Sequence, residues 1–137
     1  WRCISNAAPW PAMAARPETG AAAGGTDAGV VRDWLNRALA EFHLQFGRAG
    51  EPATVSFEQA ERCRIFLDVL GLWRERLSLI AEGDRERILD GHVVDSLALA
   101  GWLPAGARVA DLGSGAGFPG IPLAIVCADS HFCLIEA

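Results

Sequence analysis

Arg108-Val109-Ala110-Asp111-Leu112-Gly113-Ser114-Gly115-Ala116-Gly117-Phe118-Pro119-Gly120 is the stretch on which the fold turns. Its first five residues read as a short, mainly apolar strand with an acid next to last. Three glycines at every second position follow, and Ile121-Pro122-Leu123-Ala124-Ile125-Val126 continues as a helix. Pro119 and Pro122 suit a first helical turn, where a missing N–H leaves nothing unbonded. Asp129-Ser130 marks a turn, and His131-Phe132-Cys133-Leu134-Ile135 reads as a second strand closing on Glu136. Strand, glycine loop, helix, strand is the opening β-α-β portion of an α/β sheet that holds a nucleotide-type cofactor.

The loop must turn sharply off its strand and lie close to a ligand, and glycine permits both. The helix behind it is expected to point free N–H groups at that ligand. Two cofactor classes compete. A dinucleotide loop needs G-x-G-x-x-G directly after the strand, but counted from Gly113 the third glycine is replaced by Phe118. The register Gly115-Gly117-Gly120 fits and begins late. The pattern acid-x-G-x-G-x-G of S-adenosylmethionine enzymes is met in full by Asp111, Gly113, Gly115 and Gly117. A carboxylate favours a cationic sulfonium and amino group and repels a diphosphate. Glu136 suits ribose hydroxyls in either class. A purely structural glycine turn is the bland alternative.

Working back along the chain, His92, Asp95 and Ser96 stand at i, i+3 and i+4 of a helical stretch from Arg85 to about Ala100, and so share a face. Gly91 weakens that helix and threatens to break it in two. Asp84, in the turn Glu82-Gly83-Asp84, is its expected N-cap. A second amphipathic helix starts at Ser56, which with Gln59 forms a capping box, and Val55 can pack on Ala60. Its stripe is Ala60, Cys63, Leu67, Leu70 and Leu77, widened by Ile65, Phe66, Val69 and Trp73. A third, from Val30 to Phe46, presents Val31, Trp34, Leu35, Ala38, Leu39 and Phe42 on one side. Residues 1–28 are rich in Ala, Gly and Pro and read as a disordered tail. The expected organisation is thus a tail over 1–28, a helical extension over 29–103, and the start of an α/β domain over 104–137.

Bulk properties narrow the classes further. The 137 residues are 51% hydrophobic, which excludes a wholly disordered chain. No apolar run reaches membrane-spanning length, and the start lacks the charge and apolar block of a signal peptide. Twelve basic residues, all arginine, face seventeen acidic ones, giving −5, against broad non-specific nucleic-acid binding by this stretch. Cys3, Cys63, Cys127 and Cys133 form no C-x-x-C pair and have no histidine at ligand spacing. Buried thiols in a reducing cytoplasm are expected, with no metal site.

The run Leu112 to Ile125, with Pro119-Gly120-Ile121-Pro122 after the glycines, and His92-Val93-Val94-Asp95-Ser96-Leu97 before it, resembles the GidB/RsmG family of bacterial small-subunit rRNA methyltransferases. The order of parts matches, from about Val30 to the closing Leu134-Ile135-Glu136-Ala137. Differences stand at Ser78-Leu79-Ile80, where the family has Asn-Leu-Thr, and at Gly91, where it has Arg. The resemblance implies a Rossmann-like fold and methyl transfer from S-adenosyl-L-methionine to N7 of a guanine in 16S rRNA, with the small ribosomal subunit as partner. It also implies that Gly113 and Phe118 contact the cofactor, with Asp111, Ser114, Gly115, Gly117, Glu136 and Ala137 around it. His92, Asp95 and Ser96 become candidates for lining the cofactor or substrate pocket. Guanine N7 carries a lone pair and no proton, so no general base is required and no catalytic residue is assigned. The family continues past its second strand, so this chain is expected to be an N-terminal part. An NAD(P)-dependent oxidoreductase and an inactive cofactor-binding fragment are the rival readings.

Overall fold

The computed structural model describes residues 27–41, 54–77 and 88–136. In chain order these form helix α1 (Ala28–Glu41), helix α2 (Phe57–Leu77), a π-helical turn (Ile88–Val93), helix α3 (Val94–Ala98), a 3-10 turn (Ala100–Trp102), strand β1 (Arg108–Leu112), helix α4 (Gly120–Val126) and strand β2 (His131–Ile135). The arrangement is mixed α/β: a helical layer and a two-stranded parallel sheet.

α1 begins two residues before the expected Val30. Asp27 Oδ1 accepts the N–H groups of Gly29 at 2.8 Å and Val30 at 3.3 Å, so a side chain satisfies donors the helix cannot. Phe42, Phe46, the tail before Asp27, Asp84 and Ser78-Leu79-Ile80 lie outside the described residues. The capping box of α2 forms as expected. Gln59 N–H donates to Ser56 Oγ at 3.2 Å, and Ser56 N–H donates to Gln59 Oε1 at 2.9 Å.

Val31, Trp34, Leu35, Ala38 and Leu39 of α1 pack with Val55, Ala60 and Cys63 at the start of α2, and with Val93, Val94 and Leu97. Ile125 of α4 joins the same cluster, against which Phe118 and Ile121 also pack. The core therefore reaches from the helices to the glycine loop. The apolar face of α2 is narrower than the sequence suggests. Ile65 and Val69 are each 49% exposed, because the neighbouring elements cover only the side carrying Ala60, Cys63 and Leu70.

Asn36 joins the two long helices. Its amide oxygen accepts Val55 N–H at 2.6 Å, and its amide nitrogen donates to Val55 C=O at 3.1 Å. One side chain thus satisfies both backbone groups of a buried residue. Gln59 makes a second link, donating from Nε2 to the carbonyls of Ile125 and Val126 at the end of α4.

The third helical stretch is segmented: a π-helical turn containing Gly91, then the five-residue α3, then the 3-10 turn. The π turn changes the angular spacing that i, i+3, i+4 assumes. Ser96 is buried and donates its hydroxyl to His92 C=O at 2.5 Å, His92 is half-buried and Asp95 is exposed.

β1 and β2 pair in register from Arg108↔His131 to Leu112↔Ile135. Val109, Asp111 and Phe132 are partly covered on the side facing α4, while Ala110, Leu112, Cys133 and Ile135 are exposed. The thiols are accordingly not all buried: Cys63 is, Cys127 is half-buried and Cys133 is exposed.

Two outcomes test this packing. Asn36→Ala leaves both polar groups of Val55 without a partner and should lower unfolding stability by roughly 2 kcal/mol in urea titration of the intact protein. Burial pushes the Cys63 thiol from its ordinary 9.0 up to about 11. Its neutral form is favoured by folding, so that contribution is intact below pH 9 and is lost as pH climbs towards 11. At pH 8 a thiol reagent should modify Cys133 at once and Cys63 only as the protein unfolds.

Candidate functional site

The loop leaves the C-terminal end of β1 and passes over the end of β2. Gly113 and Ser114 donate their N–H groups to Ile135 C=O at 2.7 and 3.2 Å, which extends the ladder into the turn. Gly113, Gly115 and Gly117 have φ of 73°, 51° and 92°. Gly117 has a second constraint: a Cβ there would collide with Ile121 Cδ1 and come within 3.5 Å of Phe66 Cε2. A larger residue there would need the Ile121 side chain to move and would strain the backbone at this positive φ.

Asp111, next to last in β1, has its carboxylate turned to the helix that follows. Oδ2 accepts Gly120 N–H at 3.0 Å, tying the strand end to the first residue of α4 across the loop. A Cβ on Gly120 would lie 2.6 Å from that oxygen and 3.0 Å from Leu134 Cγ, so glycine at this position permits the tether. Glu136, just past β2, makes a matching contact: its Oε2 accepts Gly115 N–H at 2.6 Å. The two acids that sequence analysis assigned to the ligand therefore both hold backbone of the loop here. Ser114 is buried beneath the loop, and its carbonyl accepts Gly117 N–H at 2.7 Å. Ala137 lies outside the described residues.

The expectation of free amides at the helix start is corrected. Gly120 N–H goes to Asp111, Ile121 N–H to Gly117 C=O at 2.8 Å, Pro122 has none, and Leu123 N–H goes to Pro119 C=O at 3.2 Å. With Gly113, Ser114, Gly115 and Gly117 also bonded, Ala116 and Phe118 keep the loop's N–H groups that find no partner among the described residues. Such a loop offers little to a diphosphate, which is held by several converging amides. It does present two carboxylates.

Phe118, before a cis bond to Pro119, turns back into the helical layer. Its ring meets Phe66 edge-on at 5.3 Å and lies against the His92 ring at 5.2 Å, tilted by 32°. Phe66 was legible only as part of a helical stripe; nothing in its spacing identified the loop as its partner. His92 is brought to the loop through Phe118, Ser96 supports the His92 carbonyl, and Asp95 stays at the surface. No group of three or more His, Cys, Asp or Glu among the described residues is gathered as a metal would need. No described helix is long and apolar enough to cross a membrane.

A parallel β-α-β unit with a glycine loop at the C-terminal ends of its strands, packed under a helical layer, defines a mixed α/β protein built around that loop. The family described as GidB, rRNA small subunit methyltransferase G, matches residues 59–137, and the chain belongs to it. Its members are, by that description, enzymes that methylate rRNA. The chain is 40% identical over 98 residues to the ribosomal RNA small subunit methyltransferase G of Dichelobacter nodosus, covering 72% of this chain and 46% of that protein. It is 46% identical over 77 residues to the protein of that name from Halorhodospira halophila, covering 56% and 36%. With the Photorhabdus laumondii protein it shares 37% over 99 residues, 72% of this chain and 47% of that protein. The chain thus spans about half, or less, of the length of these relatives. No solved structure matches it.

Removing the Asp111 tether tests the geometry. Asp111→Ala should cost about 1–2 kcal/mol of stability, as the loss of a helix-start acceptor does. Asp111→Asn, whose amide oxygen still accepts, should cost less than half of that, both read by chemical denaturation.

Proposed function

We propose that the protein is an S-adenosylmethionine-dependent methyltransferase of Rossmann-like fold, acting in the cytoplasm on N7 of a guanine in 16S rRNA of the small ribosomal subunit. The observation that carries the reading is the state of the loop's polar groups. Its amides are almost all bonded within the chain, and both side chains that close on it, Asp111 and Glu136, are carboxylates. This suits a ligand with a cationic sulfonium, an amino group and ribose hydroxyls. It disfavours a dinucleotide, whose diphosphate would meet like charge and few free donors.

In this reading Asp111, Gly113, Ser114, Gly115, Gly117, Phe118, Glu136 and Ala137 surround the cofactor. His92, Asp95 and Ser96 border the pocket. Residues 104–137 open the cofactor-binding domain and 29–103 form its helical extension. When bound, S-adenosylmethionine supplies an electrophilic methyl group on a positively charged sulfur. Asp111 keeps its second carboxylate oxygen for the cationic end while the first holds Gly120. Glu136 exchanges Gly115 N–H for hydroxyl donors. Gly113, Gly115 and Gly117 let the ligand approach the backbone with no Cβ in the way. The chain needs no base, because guanine N7 has no proton to lose; it has to position the base in line and keep water out.

The test compares binding of S-adenosylmethionine and NAD to the intact protein by calorimetry. Binding of S-adenosylmethionine alone is expected, weakened about tenfold in Glu136→Ala by the loss of charged acceptors. Borohydride–aniline cleavage at N7-methylguanine in 16S rRNA treated with the enzyme reads the reaction. Preference for NAD, or no methylation by the intact protein, overturns the proposal.

A further inference from the structure

We propose that His92 is a positioning residue for the cofactor, released by it: Phe118 covers the His92 imidazole in the ligand-free loop, and cofactor binding moves Phe118 enough for Nε2 to gain a hydrogen bond. This rests on the cofactor reading above and goes further, because it assigns a role to an atom outside the loop.

Nε2 of His92 is buried and has no hydrogen-bond partner among the described residues. A polar atom removed from water without a partner is destabilising, so the covered arrangement carries a strain that another arrangement can relieve. Trp34 Nε1 likewise has no partner among the described residues, but it belongs to the apolar core of α1. His92 sits against the ring of Phe118, a residue of the loop itself. Its backbone lies in a π-helical turn, a local irregularity that recurs at functional positions. The Ser96 hydroxyl anchors the His92 carbonyl, which fixes where the imidazole starts from. Phe118 also meets Phe66 edge-on and packs against the apolar core. Phe118 is the loop residue in ring contact with the imidazole, so a shift of Phe118 alters the surroundings of Nε2 while the tethers at Asp111 and Glu136 lie elsewhere on the loop.

His92→Phe separates this role from packing. The variant keeps an aromatic ring against Phe118 and removes the unpaired nitrogen. The intact variant should be as resistant to thermal unfolding as the parent, or more so, yet bind S-adenosylmethionine about tenfold more weakly, the loss of one hydrogen bond made only in the complex. His92→Ala should lose both stability and affinity. If His92→Phe binds S-adenosylmethionine as tightly as the parent, the inference is wrong and His92 only packs. If the parent itself does not bind, the cofactor reading fails with it, which is a distinguishable result. Imidazole nitrogen NMR of the parent gives a readout independent of how the variant folds. The His92 signals, assigned with His43→Asn and His131→Asn, should shift to hydrogen-bonded values on saturation with S-adenosylmethionine; unchanged signals overturn the proposal.

Discussion

The bond from Gly120 N–H to Asp111 Oδ2 is the constraint on which the rest of the site depends. A loop with three consecutive alternating glycines has many conformations to lose. Joining the end of β1 to the start of α4 over nine residues removes most of them at once. Glu136 does the same from the neighbouring strand by taking Gly115 N–H. Because β1 and β2 are parallel and in register, both acids arrive at the same end of the sheet, one on each strand. Both carboxylates therefore act on the chain's own backbone and gather negative charge at the loop.

The helical layer does more than supply a core. α4 touches α2, α3 and β2, so it is the joint between layer and sheet. Gln59 fastens the end of α4, and Phe118 inserts between Phe66 and His92 near its start. A residue of α2 and one of the π turn thus govern a loop that follows them by more than twenty residues. In this chain the glycine loop is seated on the helices that precede it.

Local chemistry made much of this readable from the residues. The β1 and β2 boundaries, the capping box at Ser56 and Gln59, and the glycine turn follow from short-range rules, and the structure places them as expected. What escaped depends on partners distant in sequence. The bond from Gly120 N–H to Asp111 shows only once the fold brings the strand end and the helix start together. Ile65 and Val69 look buried until the width of the covering layer is known. The π turn that carries His92 is announced by no residue pattern apart from Gly91. The roles of the loop residues towards a ligand were inferred from motif and charge, and they remain proposals for binding experiments.

The clasp of Asn36 on Val55 bears on evolution and engineering. Since that amide fixes where α2 starts relative to α1, the placement of α2 does not depend on the number of residues joining them. A change at Asn36 or Val55 therefore reaches the aromatic seat of the glycine loop through α2, which carries Phe66.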